Sequence, residues 1–216
     1  MVHDFLGPSG AFFITSLISL FVIIDPPANI FPYLALSGAY PPAVARALAW
    51  KSCLYAFVIL ALFALLGRYV LEFFGIRLPA FEVAGGVILL RISLDMMEGR
   101  GHFNRIDTSS SLVAADYRDV ALVPLAMPLM SGPGAITAVL VLTSQARSFW
   151  QELLVLLAAA ISIGITYLFF SFARHLRDYL SERSFSLVTR LMGLILAALA
   201  VQFVIEGLKA SFPSWH

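Results

Sequence analysis

The sequence predicts an all-α membrane protein of six transmembrane helices, built as two inverted three-helix repeats, with helices 1 and 4 broken at mid-membrane. Three observations predict it. The 216 residues are 60% hydrophobic and only 12% charged, with a mean hydropathy of +0.90, whereas soluble domains are about 45–50% apolar and about 25% charged. The apolar residues gather into segments near the roughly 20 residues that a helix needs to cross a bilayer. Finally, a proline-rich motif inside the first segment is matched by a glycine-proline motif inside the fourth.

The segments run approximately Ala11 to Leu36, Ala43 to Leu66, Pro79 to Met97, Val120 to Thr143, Phe149 to Ala173 and Phe185 to Leu208. They fill the chain as one membrane domain over residues 1–216, with a first repeat at about 11–97 and a second at about 120–208. Between them, Glu98 to Asp119 gathers Arg100, Arg105, Asp107, Asp116, Arg118 and a run of serines, the composition of a link. Met1 to Gly10 carries no Lys or Arg and no small-residue cleavage pattern follows, so the first segment reads as a retained span and not a signal peptide. Cys53 is the single cysteine, which excludes an intrachain disulfide and a Cys-based metal site. A net charge of +1 with no basic stripe gives no support for a nucleic-acid partner.

Positively charged loops are retained in the cytoplasm, which fixes an expected orientation. Arg46, Lys51, Arg100, Arg105, Arg118, Arg174, Arg177, Arg183 and Arg190 fall on one side, against Arg68, Arg77, Arg147 and Lys209 on the other. Both termini are therefore expected outside the cytoplasm.

Ile24-Asp25-Pro26-Pro27-Ala28-Asn29-Ile30 aligns with Met130-Ser131-Gly132-Pro133-Gly134-Ala135-Ile136, and Gly86-Val87-Ile88-Leu89 with Gly193-Leu194-Ile195-Leu196 in nearly the same register. Each half has an odd number of spans, so the second enters the membrane with opposite polarity, an arrangement used by secondary transporters. Two adjacent prolines remove two backbone donors, and Gly-Pro-Gly joins a missing donor to two permissive residues, so both helices are expected to break. Hydrocarbon does not tolerate unpaired backbone groups, so the breaks should face each other or a watered cavity. Such a site suits a small zwitterion. A helix N-terminus favours its carboxylate, and freed carbonyls or Asp25 favour its ammonium. The competing reading is that both motifs are proline kinks that only curve helices for packing.

Asp25 is an ionisable group at mid-depth, open to three roles: substrate contact, proton or sodium coupling, or capping of the following half-helix. Asn29 and Thr137 lie within about one turn of the breaks and are candidate contacts beside Pro26, Pro27, Ala28, Ser131, Gly132, Pro133 and Gly134. Arg91 and Asp95, four apart in the third segment, share a helix face and are expected to form a structural or coupling ion pair. Gln202 and Glu206 occupy the related end of the sixth segment, and Ser162 with Thr166 should mediate packing. Gly85, Gly86 and Gly193 should let helices approach closely. Ser131 would need a base to act as a nucleophile, yet His3, His102, His175 and His216 lie in loops or termini, so neither an enzyme, a resident metal nor a cofactor is expected.

Asp25-Pro26 with Asn29, Ala84-Gly85-Gly86 before Asp95-Met96, and above all Pro124-Leu125-Ala126-Met127-Pro128-Leu129-Met130-Ser131-Gly132-Pro133-Gly134-Ala135-Ile136-Thr137 resemble the MarC family over essentially the whole chain. The departures are Ala28 in place of Gly, the additional Pro27, a displaced Pro32, and Glu82 where a basic residue is expected. The resemblance implies a six-span inner-membrane protein in an amino-acid exporter superfamily, some of whose members carry alanine or glycine. The expected partners are the lipid bilayer, a small neutral amino acid and a proton or sodium ion. The alternatives are a non-transporting scaffold, a channel, or efflux of another small solute including antibiotics. No P-loop is present, so active transport would draw on a gradient.

Overall fold

The computed structural model describes residues 2–38, 40–98, 117–179 and 182–212, and every regular element among them is helical. The order is α1 (Val2–Ile24), α2 (Pro26–Ser37), α3 (Pro42–Phe73), α4 (Leu78–Met97), α5 (Tyr117–Val120), a π segment (Ala121–Met130), α6 (Pro133–Gln145), α7 (Phe149–Tyr179) and α8 (Glu182–Ser211). Most of the expected link between the halves, residues 99–116, lies outside the described residues.

Among the described residues, four helical stretches are long and apolar enough to cross a membrane: Gly7–Ile30, Pro42–Phe73, Phe149–Ala173 and Arg190–Ser211. They coincide with the expected first, second, fifth and sixth spans. The third and fourth differ for local reasons. Over its 20 residues α4 carries Glu82, Arg91 and Asp95, and the fourth is divided into the π segment and the 13-residue α6.

Proline chemistry accounts for that division. A residue before proline is driven out of the helical region towards extended geometry. Val123, before Pro124, takes φ −130° and ψ 118°, and Met127, before Pro128, takes φ −128° and ψ 122°. The chain still advances as a wide coil, and Ser131 N–H reaches the Ala126 carbonyl, five residues back, at 2.9 Å.

At the centre lies α6, with every residue from Gly134 to Leu142 buried. A helix apolar all round belongs in an interior, and here α1, α3, α4 and α7 surround it. By contrast α3 turns Trp50, Leu54, Val58, Leu62, Leu65, Tyr69 and Phe73 outward, a face that lipid covers. Tyr69, Phe73 and Phe74 at its end and Phe149 and Trp150 at the start of α7 supply exposed aromatic rings, which settle at membrane–water interfaces. Tyr33 ties α2 to its neighbours: its ring stacks on Phe170 of α7 at 4.4 Å, and its hydroxyl donates to the Ala45 carbonyl of α3 at 2.9 Å.

The closest helix pair is α4 with α8, running antiparallel through glycines. A Cβ on Gly86 would stand 2.7 Å from the Ala200 carbonyl oxygen, one on Gly193 3.1 Å from that of Ser93, and one on Gly207 2.6 Å from that of Pro79. Backbones therefore meet along the whole length, as small residues allow between membrane helices, where dispersion contacts replace hydrophobic burial. The expectation of close approach holds for Gly86 and Gly193 against each other's helices and for Gly85 against α6, where it meets the side chain of Thr137.

Candidate functional site

The first break is sharp. Asp25 sits between α1 and α2 in the left-handed region, φ 50° and ψ 65°, the one non-glycine residue with positive φ among those described. Asp and Asn tolerate this conformation better than other side chains. The Asp25 carboxylate then caps α2, with Oδ1 accepting from Ala28 N–H at 3.3 Å, while Asn29 N–H reaches the Asp25 carbonyl at 3.2 Å. Pro26 and Pro27 have no N–H. Every amide of the first turn of α2 is thus absent or engaged, so this break offers no donor to an anion, contrary to the expectation that freed amides and carbonyls occur at both breaks.

What it offers is acceptors. The carbonyls of Val22 and Ile23 lose their helical donors because those positions are Pro26 and Pro27. The Ile24 carbonyl is taken by Asn29 Nδ2 at 2.6 Å. Asp25 is only 6% exposed, and its Oδ2 has no hydrogen-bond partner among the described residues. A buried carboxylate oxygen without a donor is costly, and a cation or ammonium group would relieve it.

Asn29 accordingly braces the break. Asn29→Leu is expected to leave the Ile24 carbonyl unpaired in the interior and to destabilise the fold by about 1–3 kcal/mol, read as a lower midpoint in thermal unfolding of the purified protein. An unchanged midpoint would mean that the 2.6 Å bond contributes nothing.

The second break has the opposite character. Ser131 leaves the π segment at φ −112° and ψ 43°, its hydroxyl donating to the Ala126 carbonyl at 2.9 Å. Gly132 follows as the N-cap of α6, with φ −69° and ψ 176° and no side chain to cap the helix. Pro133 carries no N–H, and Ile136 N–H is bonded to the Gly132 carbonyl at 3.0 Å. The amides of Gly134 and Ala135 have no acceptor among the described residues. An uncapped helix start presents donors and the positive end of the helix dipole.

The two breaks adjoin. A Cβ on Gly134 would lie 3.8 Å from Ile23 Cγ2, two residues before Asp25, and against the side chain of Leu89 on α4. The two breaks thus meet through Ile23, two residues before Asp25, and Gly134, which follows Ser131, Gly132 and Pro133. Thr137 lies one turn into α6, where its hydroxyl donates to the Pro133 carbonyl at 2.8 Å and its methyl faces Gly85. Arg91 and Asp95 form their pair on α4, with 3.9 Å between Nε and Oδ1 and the arginine side chain 69% exposed. Ser162 and Thr166 are fully buried in α7, with the threonine hydroxyl on the Ser162 carbonyl at 2.9 Å.

Residues 10–212 match the MarC family of integral membrane proteins. The chain belongs to the MarC family. Among its relatives are the UPF0056 membrane protein MJ1677 of Methanocaldococcus jannaschii, 40% identical over 93% of this chain and 97% of its own, and YvbG of Bacillus subtilis, 31% identical over 94% and 97%. YhcE of Escherichia coli is 30% identical over 91% of each chain. No solved structure matches this MarC chain. Family membership and the apolar helices together establish a multi-pass integral membrane protein.

Sequence reasoning missed the extended residues inside the π segment of this MarC protein. The signal was present as two X-Pro pairs, Val123-Pro124 and Met127-Pro128, one helical turn apart. It also treated the two breaks as alike, although the Pro26-Pro27 pair already removes the donors that Gly132-Pro133-Gly134 retains.

Proposed function

We propose that this chain is a secondary carrier of small neutral amino acids such as alanine and glycine, ion-coupled or facilitative, in the inner membrane. The observation that carries the reading is the opposite polarity of two adjoining breaks. An unpartnered carboxylate oxygen of Asp25, with the Val22 and Ile23 carbonyls, suits an ammonium group. The free amides of Gly134 and Ala135 at the start of α6 suit a carboxylate. An α-amino acid carries both charges one carbon apart. The close packing of Gly134 against Ile23 and Leu89 favours a side chain no larger than a methyl group or so. Asp25 could equally hold the coupling proton or sodium ion, and the substrate ammonium and the ion would then share it.

The same reading takes the chain as one membrane domain of two inverted repeats, with six crossings and both termini outside the cytoplasm. Several features support the repeat. Helices α2 and α6 both open on a proline, at Pro26 and Pro133, and the same length of chain separates the starts of α3 and α7, at Pro42 and Phe149. Gly86 meets Ala200 while Gly193 meets Ser93, contacts that exchange when the two halves are exchanged in that register. Nothing in the reading needs a covalent step, and the Ser131 hydroxyl is engaged by a carbonyl and not by a base.

The test is uptake of labelled alanine and glycine by proteoliposomes, with and without proton and sodium gradients. Saturable uptake that unlabelled alanine competes is the expected result, with Gly132→Leu losing most of it. At φ −69° Gly132 can be replaced without backbone strain, so the added bulk acts on access to the α6 amides. No flux under any gradient would overturn the substrate assignment, and equal flux in Gly132→Leu would overturn the site.

A further inference from the structure

The first turns of α3 carry cations at the depth where lipid headgroups lie. Trp50 is exposed and packs edge-on against Tyr167 of α7, with 5.7 Å between the ring centroids. Tyr69, further along α3, is exposed too. Between these two residues an α-helix rises about 29 Å, close to the roughly 30 Å of a hydrocarbon core. Such rings settle at the two membrane–water boundaries. Lys51 adjoins Trp50 and therefore stands at one boundary, with exposed Arg46 one turn further out on the Trp50 face.

Lys51 is half-buried and makes no ion pair among the described residues. Its ammonium instead donates to the hydroxyl of Tyr117, at the start of α5, at 3.2 Å, and lies 4.7 Å from the centre of that ring. Arg118 comes next in the chain and is exposed. Hydrogen bonds from Arg118 and from Lys51 hold the Tyr117 hydroxyl below its usual pKa. Two cations from separate helices thus converge on one phenol, which offers lone pairs but carries no charge to balance them. Asp119, the acidic residue of α5, is exposed and makes no ion pair with Lys51. Towards the membrane interior the surface turns apolar, with Leu54 on α3 and Leu122 and Val123 on the adjoining π segment all exposed. Cations at the boundary above exposed alkyl side chains match an amphiphile with an anionic head.

We propose that Lys51 and Arg118 bind the phosphodiester of an anionic phospholipid, with Tyr117 holding the lysine in place and the acyl chains lying over Leu54, Leu122 and Val123. A zwitterionic phospholipid carries its own ammonium beside the phosphate and gains less from two further cations. The bound lipid bridges α3 and α5, and α5 runs directly into the π segment that ends at the second break. The site rests on the multi-pass membrane character of the chain and is independent of which solute it carries.

Native mass spectrometry of the full chain, released from detergent and titrated with phosphatidylglycerol, phosphatidylcholine or inorganic phosphate, tests the site without a transport assay, because each adduct has its own mass. Phosphatidylglycerol should form the tighter one-to-one adduct. Lys51→Gln and Arg118→Gln should each weaken that adduct about five-fold, and Lys51→Arg should retain it. Arg68→Gln, at the opposite end of α3 and paired with Glu72, should leave it unchanged. Equal affinity for the two lipids overturns the proposal, as does inorganic phosphate that displaces phosphatidylglycerol, which would make this a site for a free anion. An equal loss in Arg68→Gln would reduce the effect to net charge and overturn the site. Should Lys51→Gln fail to fold, the exposed Arg118→Gln decides alone, and unchanged affinity there overturns the proposal.

Discussion

Asp25→Asn is expected to cut alanine and glycine uptake at low substrate concentration by about 10- to 100-fold, while the protein folds and melts as the wild type does. The substitution is chosen for what it keeps. Asn is as good an N-cap as Asp, so the bond from Ala28 N–H survives, and Asn tolerates the left-handed backbone that Asp25 adopts at φ 50°. What is lost is the negative charge on the buried, unpartnered Oδ2. Hydrogen bonds to a charged partner are worth about 1.5–3 kcal/mol, which corresponds to about 10- to 100-fold in affinity. Asp25→Ala would be a poorer probe, because it removes the cap and strains the backbone together. Initial rates against substrate concentration, in proteoliposomes holding equal amounts of folded protein, give the answer. Uptake in Asp25→Asn equal to that of the wild type would leave Asp25 as a helix cap and no more, and the ammonium would have to be bound elsewhere.

Much of this site was legible because proline and glycine act locally. Pro26-Pro27 and Gly132-Pro133-Gly134 dictate broken helices wherever they stand, and the breaks are where the sequence puts them. The burial of Asp25 and its capping role follow from the same short motif. Other properties depend on contacts between residues far apart in the chain, and those no local rule supplies. Thr137 stands one turn into α6, but Gly85 on another helix decides what its methyl touches. Glu82 was visible only as a departure from a family pattern, since Gly207, which packs on it, lies at the far end of the chain. The missing donors at the first break are a different matter. They could have been counted from sequence, because two prolines and an Asp cap leave no free amide in the first turn of α2.

The second large effect is expected between α4 and α8. Gly86→Ala should destabilise the protein by about 1–3 kcal/mol, the usual cost of forcing a methyl into a filled space, and Gly86→Leu should abolish the folded state. The reason is what the new Cβ would meet: the Ala200 carbonyl oxygen at 2.7 Å and the Val204 amide nitrogen at 3.0 Å. Both are backbone atoms of α8, which cannot rotate aside as a side chain would, so relief requires the two helices to separate along their length. Gly193→Ala should cost less, because its nearest neighbours are Met96 Cβ at 3.0 Å and the Ser93 carbonyl oxygen at 3.1 Å. Gly164→Ala is the internal control, since that position on α7 has nothing within 4 Å. It should be neutral, or stabilising by up to about 1 kcal/mol through helix propensity alone. Thermal unfolding in detergent, read by size-exclusion fluorescence, should therefore rank the midpoints Gly164→Ala, then Gly193→Ala, then Gly86→Ala as the lowest. If Gly193→Ala proved the more damaging, the antiparallel register that sets Gly86 on Ala200 and Gly193 on Ser93 would be wrong. The exchange of halves that supports the inverted repeat would fall with it.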